Sequence, residues 1–379
     1  MEFKLIIKKI NNLLSKEEEI TFTKWYKESI KHKEYFEKVK NNYSKEITDI
    51  DIEKGWKELM IKVNSKKQNK LYYWKYGVAA AVILLITTPF TLNNSSLFSK
   101  KEAVSDVVIK PGSDKAVLTT ATNKQIKLVK GTKINLGNST SDGEKLIYNK
   151  FLKANNKKHL AYNYLTIPRG GQFFLQLSDD TKVWLNSESK LKYPVNFIKG
   201  NTREVELVYG EAFFEVSPST ANHGNKFKVL TLGQEVEVLG TQFNVKAYKD
   251  ESFIYTTLLE GKVSIGNVGD FKPKILKPSE RSIVNRKTKN IHISKLENAY
   301  NEVLWRNGVF SFKKMPLKEI ARVLSRWYNV DFVFEKPEVK NILFTGVLDK
   351  EQEIAQILKV ICSANNIEYK IDNKIINFK

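Results

Sequence analysis

The sequence predicts a multidomain membrane protein with a small all-α domain, one transmembrane helix, an all-β domain and a C-terminal α+β module. Three observations predict it. Residues 76–99 contain no charged side chain. Residues 161–295 read as many short alternating strands punctuated by glycine. Residues 308–379 change to two strand–helix–strand units.

The apolar run Tyr76 to Leu92 is about 26 Å long as a helix at about 1.5 Å per residue. Starting at Tyr73 or Trp74, it matches the roughly 30 Å core of a bilayer, which places the span at 73–93. Tyr72, Tyr73 and Trp74 form an aromatic belt at one end. A buried core helix would instead carry interspersed polar residues and symmetric flanks. Here Lys62, Lys66, Lys67, Lys70 and Lys75 crowd one side, with no acid among residues 61–75. On the other side Glu102 and Asp106 offset Lys100 and Lys101. The positive-inside rule therefore puts the N-terminus in the cytoplasm and the C-terminal part across the inner membrane.

Residues 1–70 read as helices. Phe3, Ile6, Ile7, Ile10, Leu13 and Leu14 recur at helical spacing. Ser15-Lys-Glu-Glu18 has capping-box form and starts a helix that carries Ile20, Phe22, Trp25, Tyr26 and Ile30 inward. A third helix is expected around Ile52 to Val63. Three helices in some 70 residues make a marginal core, which firms up on a partner. Residues 94–160 are rich in Ser, Thr, Asn, Gly and Lys, and read as a linker leading into extra hairpins. Ala116–Thr119 and Ile126–Val129 are its candidate strands.

Within 161–295, Leu175–Leu177 leads through Asp179 and Asp180 into Val183–Leu185. Those two carboxylates read as a solvated turn. Arg203–Tyr209, Glu211–Val216, Phe227–Leu230, Val236–Leu239 and Phe243–Val245 continue the alternation, which leaves roll, sandwich and solenoid open. In 308–379, Pro316 opens a helix whose inner face is Leu317, Ile320, Ala321, Leu324 and Trp327. A second helix carries Ile354, Ile357, Leu358 and Ile361.

Net charge is +21. The excess is spread along the chain and is mostly Lys, without an Arg-rich arm or recognition helix, so no direct nucleic-acid partner is expected. Cys362 is the single cysteine and lies in an apolar run, so no intrachain disulfide forms and its thiol packs inward. Four histidines are scattered without ligand spacing, and no metal or cofactor is expected. No nucleophile elbow, phosphate loop or His–acid cluster occurs, so the chain does not read as an enzyme.

Several stretches together resemble the FecR-type transmembrane anti-sigma factors in their Bacteroidetes form. They are Pro168-Arg-Gly-Gly171, Leu177–Asn186, Ser189–Pro194, Arg203–Leu207, Gly210–Val216, Val236–Val245 and Thr257–Val263. Pro316-Leu317 and Arg326–Val330 fit the small α+β module that follows in that group. The chain departs at Asp180, where Gly is usual, and at Tyr209. The N-terminal domain matches only by layout and by Trp25 and Trp56.

The resemblance implies a single-pass inner-membrane protein whose C-terminal part is periplasmic. It implies docking by the signalling domain of an outer-membrane TonB-dependent transporter, and control of an extracytoplasmic-function sigma factor. Its own C-terminal module is similar to that signalling domain. Leu14, Phe22 and Trp25 are the candidate sigma-binding residues, and core packing is an equal alternative for each. A lone helix transmits a change poorly unless it moves, oligomerises or is cut. Intramembrane and periplasmic proteases are therefore expected partners. Some relatives self-cleave at a Gly-Thr that matches Gly240-Thr241, where an ordinary glycine turn is the other reading. A membrane-anchored periplasmic binding or scaffold protein without a transcriptional role is the alternative function.

Overall fold

The computed structural model describes residues 109–149, 161–269 and 272–379, and in the N-terminal part residues 5, 6, 9, 10, 14, 16–28, 32, 33, 36, 37 and 40. The chain divides into two units, Met1–Ser105 and Asp106–Lys379. The expected span at 73–93 and the expected helix at 52–63 lie outside the described residues. Among the described residues no helix is long and apolar enough to cross a membrane.

In the first unit, helix α1 runs Lys16–Glu28. Glu17, Glu18 and Glu19 occupy its first turn and Lys27 its last, so both ends complement the helix dipole. Phe22 and Trp25, three residues apart, pack with Leu5, Ile6 and Phe36. Ile20, expected inside, is 71% exposed. Two residues at about 100° each turn it to the side of the helix opposite Phe22.

The second unit begins with two sheets. The first has the order β2 (Gln125–Val129), β1 (Ser113–Thr119), β6 (Tyr162–Ile167), β9 (Ser189–Pro194), β10 (Arg203–Glu215), β11 (Phe227–Thr231), β12 (Gln234–Val238), β15 (Val263–Asn267) and β16 (Lys274–Leu276). The second has the order β3 (Ile134–Asn135), β4 (Ser139–Ser141), β5 (Lys145–Tyr148), β7 (Gly171–Gln176), β8 (Lys182–Leu185), β10, β13 (Gln242–Ala247), β14 (Phe253–Glu260), β17 (Glu280–Asn285) and β18 (Ile291–Lys295). Hairpins alternate between the sheets, so the chain winds around one core. The five strands of 113–148 form hairpins that are built into both sheets: β1 pairs with β2, β6 and β7, and β5 pairs with β7.

Strand β10 belongs to both sheets. Its first half pairs in parallel with β11, and Gly210–Glu215 pairs with β13 and β8. The register against β9 slips between Leu207 and Tyr209, and such a bulge bends a strand. Alternation does the rest. Val205, Leu207, Ala212 and Phe214 face the core, where Phe214 stacks on Phe243 at 5.1 Å.

The Asp179–Asp180 turn is not solvated as the sequence suggests. Asp179 is buried, and its Oδ2 accepts from Arg203 Nη1 at 2.6 Å and Thr181 Oγ1 at 2.7 Å. Removing one partner of such a buried pair costs roughly 3–5 kcal/mol. Asp180 takes a left-handed conformation, φ 66°. Asp tolerates that region better than most side chains, which suits it to a position where the resemblance expects Gly.

The unit ends in an α+β module. Strand β19 (Val309–Pro316) leads into α2 (Leu317–Tyr328) and β20 (Asp331–Phe334). Strand β21 (Leu343–Asp349) leads into α3 (Ile354–Asn365), β22 (Tyr369–Asp372) and β23 (Ile375–Phe378). β19 pairs with β21, and β23 lies between β20 and β22. Pro316 caps α2 from just outside, with φ −60° and ψ 141°. Both helices end on an asparagine in the left-handed region, Asn329 and Asn366. Their expected inner faces are buried, and all of these residues except Ala321 share one cluster with Cys362.

Candidate functional site

The junction between the β-domain and the C-terminal module gathers charged and aromatic groups from both. Its centre is Arg326, on the last turn of α2. Only 5% of this residue is exposed. Its Nη1 donates to Glu251 at 2.9 Å and its Nη2 to Asp250 at 2.6 Å. Its Nε lies 3.3 Å from Glu188, and its guanidinium stacks 3.5 Å from the Tyr248 ring centroid. A buried guanidinium needs its donors satisfied. Carboxylates from two β-domain turns satisfy this one, and a flat arginine fork suits them.

The Pro168–Gly171 loop grips the same helix end. Gly170 N–H donates to the Arg326 carbonyl at 2.6 Å. Arg169 Nη2 reaches the Ser325 carbonyl at 3.1 Å, the Val330 carbonyl and Asp331 Oδ1 at 2.9 Å. A cation at a helix C-terminus is favoured by the dipole and by the unpaired carbonyls there. Next to it, the Trp327 ring lies on backbone. A Cβ on Gly112 would fall 2.6 Å from that ring, so only glycine allows the approach.

Lys350 completes the junction. It follows β21, is 1% exposed, and donates to Gln172 Oε1 and the Trp305 carbonyl at 3.1 Å each. Its ammonium sits 3.7 Å from the Trp327 ring centroid, a cation–π contact that offsets part of its desolvation. Burial pushes its pKa down to about 7, against weaker pull from Glu211 and Asp114.

Between the two parts lies a cleft of about 420 Å³. One wall is β19; the opposite wall is Lys295–Asn298 and the 3₁₀ helix Ala299–Asn307. Glu211 lines it and is buried; its two carboxylate oxygens accept from Asn186 and Asn244, each at 2.9 Å. Burial raises its pKa, and Lys246 and the two amides oppose this. Glu211, Asn186 and Asn244 come from three separate motifs of the sequence.

Gly240 and Thr241 lie between β12 and β13. Gly240 has φ 155°, and a Cβ there would meet Pro218 Cα at 3.0 Å. Thr241 is buried, and its Oγ1 donates to the Lys262 carbonyl at 3.1 Å. In the first unit, Phe22 and Trp25 are buried in the helical core and Leu14 packs partly against it. Among the described residues no group of three or more His, Cys, Asp or Glu is placed to hold a metal ion. Arg326, Arg169, Lys350 and Glu211 escape sequence reasoning as a site. Their only sequence signal is that three of them stand inside motifs.

The Lys350 environment predicts a pH dependence. The folded state releases the proton near pH 7, whereas the unfolded chain holds it up to about 10.5. The unfolded state therefore binds more protons between those values, and stability rises with pH there. Urea unfolding of the wild type from pH 7 to 10 should show a slope from this group of up to about 1.4 kcal/mol per pH unit. Lys350→Met should remove that slope; an unchanged slope contradicts the assignment.

The comparisons agree with this architecture. Residues 163–264 match the family described as FecR protein, and residues 309–378 match FecR, C-terminal. A crystal structure of a candidate anti-sigma factor from Parabacteroides distasonis ATCC 8503 is 28% identical, with TM-score 0.51, covering 57% of this chain and 98% of that one. A second such structure from the same organism is 29% identical, with TM-score 0.50 and the same coverage. No curated protein matches the chain. The chain thus carries, in order, a FecR domain and a FecR C-terminal domain.

Proposed function

We propose that this protein is an anti-sigma factor anchored in the inner membrane by residues 73–93. One observation carries the reading: the FecR and FecR C-terminal domains occur together, and similar structures are described as candidate anti-sigma factors. The chain order supports it. A helical unit and a charge-free segment precede the β-domain, and the lysine-rich flank assigns the helical unit to the cytoplasm. In this reading the first unit holds an extracytoplasmic-function sigma factor. The periplasmic unit receives the signalling domain of a TonB-dependent outer-membrane transporter. Proteolysis of the anchor then carries the signal across, because one helix is a poor lever.

Burial of Phe22 and Trp25 supports a role in keeping α1 folded, which leaves Leu14, only partly covered, as the better contact candidate of the three. The full chain, extracted in detergent from its host, should co-purify with a sigma factor. Deleting residues 1–70 should abolish this. A chain that captures no sigma factor supports the scaffold reading instead.

A second reading concerns self-cleavage at Gly240-Thr241, for which an ordinary glycine turn is the alternative. Thr241 Oγ bonds to the Gly240 carbonyl carbon, the C–N bond breaks, and the hydroxyl proton passes to the released amine. Water then hydrolyses the ester, leaving a Gly240 carboxylate and restoring the Thr241 hydroxyl. The chain would thus cut itself once, without acting as an enzyme. Purified protein should yield two fragments on incubation, and Thr241→Ala should stay whole. Intact wild-type protein after long incubation overturns this step.

A further inference from the structure

β19 and β21 form a two-stranded sheet, so among the described residues β19 has one open edge. The Gly308 carbonyl accepts from Lys350 N–H at 2.9 Å, and Phe310 and Phe312 lie opposite Leu348 and Gly346. Bonded pairs alternate along an antiparallel ladder. The N–H and C=O groups of Val309 and Ser311 therefore point to the open edge. Residues 309–313 and 315 all line the cleft, whereas no residue of β21 does. Successive side chains of a strand alternate between its faces. A cleft lined by all of them runs along the strand's edge. Such an edge is a template for a further strand.

The cleft is lined by three carboxylates and by five cations, Lys246, Arg281, Lys295, Lys313 and Arg326, of which all but the exposed Lys295 pair with an acid among the described residues. Of its three lining carboxylates, Glu302 pairs with Arg281 at 3.3 Å and Glu297 pairs with Lys313. Glu211 has two amide donors and no ion pair among the described residues. The nearby ammonium of Lys246 is held on Glu251 at 3.1 Å. A buried carboxylate is stabilised most by a cation that hydrogen-bonds to it. Phe310, Phe312 and Trp305 supply apolar surface around it.

We propose that this cleft docks an extended segment of a partner protein, which adds as a strand to the open edge of β19 and sets a Lys or Arg side chain against Glu211. Main-chain hydrogen bonds give the segment its hold. The buried carboxylate selects its basic residue, and the aromatic lining selects apolar neighbours. The inference deepens the relay reading, from which it takes only that a partner docks on this unit.

The test uses the full chain in detergent micelles and fluorescein-labelled octapeptide pools, each fixed at one central position. Fluorescence anisotropy should show the Lys and Arg pools binding at least about tenfold tighter than the Glu and norleucine pools. N-methylation of alternate backbone nitrogens in the best peptide should weaken it by about tenfold or more. Glu211→Gln should erase the preference for Lys and Arg. No binding by any pool up to about 1 mM, a preference for the Glu pool, or full binding after N-methylation overturns the proposal. The methylated peptide needs no protein variant, so it decides even where Glu211→Gln fails to fold. A chain that holds a sigma factor yet takes no peptide overturns the docking cleft and leaves the anti-sigma reading standing.

Discussion

A guanidinium taken out of water must find carboxylates, and Arg326 finds Glu188, Asp250 and Glu251 at once. That requirement fixes where α2 sits on the β-domain. It also brings the Glu188 turn, which carries a left-handed residue, together with the 248–252 turn. The Arg169 side chain and the Gly170 N–H then close the helix end. With these in place, Trp327 lies on Gly112 and Lys350 reaches Gln172. The cleft exists because these contacts hold β19 close to the 3₁₀ helix without filling the space between.

The interior of the β-domain makes such a junction stable. One strand, β10, serves both sheets and presents Glu211 on the side away from the core, while Ala212 and Phe214 point inward. The same strand begins at Arg203, whose pair with Asp179 ties its start to the β7–β8 turn. Apolar packing and buried polar pairing are thus linked through one element. A partner that moved the module would act on the strand at the centre of the core.

Much of this fold is legible in the sequence. Helices α2 and α3 follow from apolar residues at helical spacing, because the pattern is local and repeated. The strands of 161–295 follow from alternation. What the sequence hides is long-range. Nothing local tells that Arg203 meets Asp179, so the turn reads as solvated when it is buried. How the hairpins of 113–148 join the sheets is hidden because the strands that tie them in, β6 and β7, lie beyond 160. Ile20 is misjudged because one apolar residue does not define a helix face. The junction is the least legible part. Arg326 stands among the apolar residues of an amphipathic helix, and an arginine there reads as surface until its three carboxylates are brought from elsewhere.

Through Arg326 the β-domain and the C-terminal module respond as one. Hydrogen exchange on the full chain tests it, comparing wild type with Arg326→Met by mass spectrometry of peptides. The account predicts faster exchange in three places together: helix α2, the Pro168–Gly171 loop and the 248–252 turn. Faster exchange confined to α2, with the β-domain segments unchanged, would contradict it.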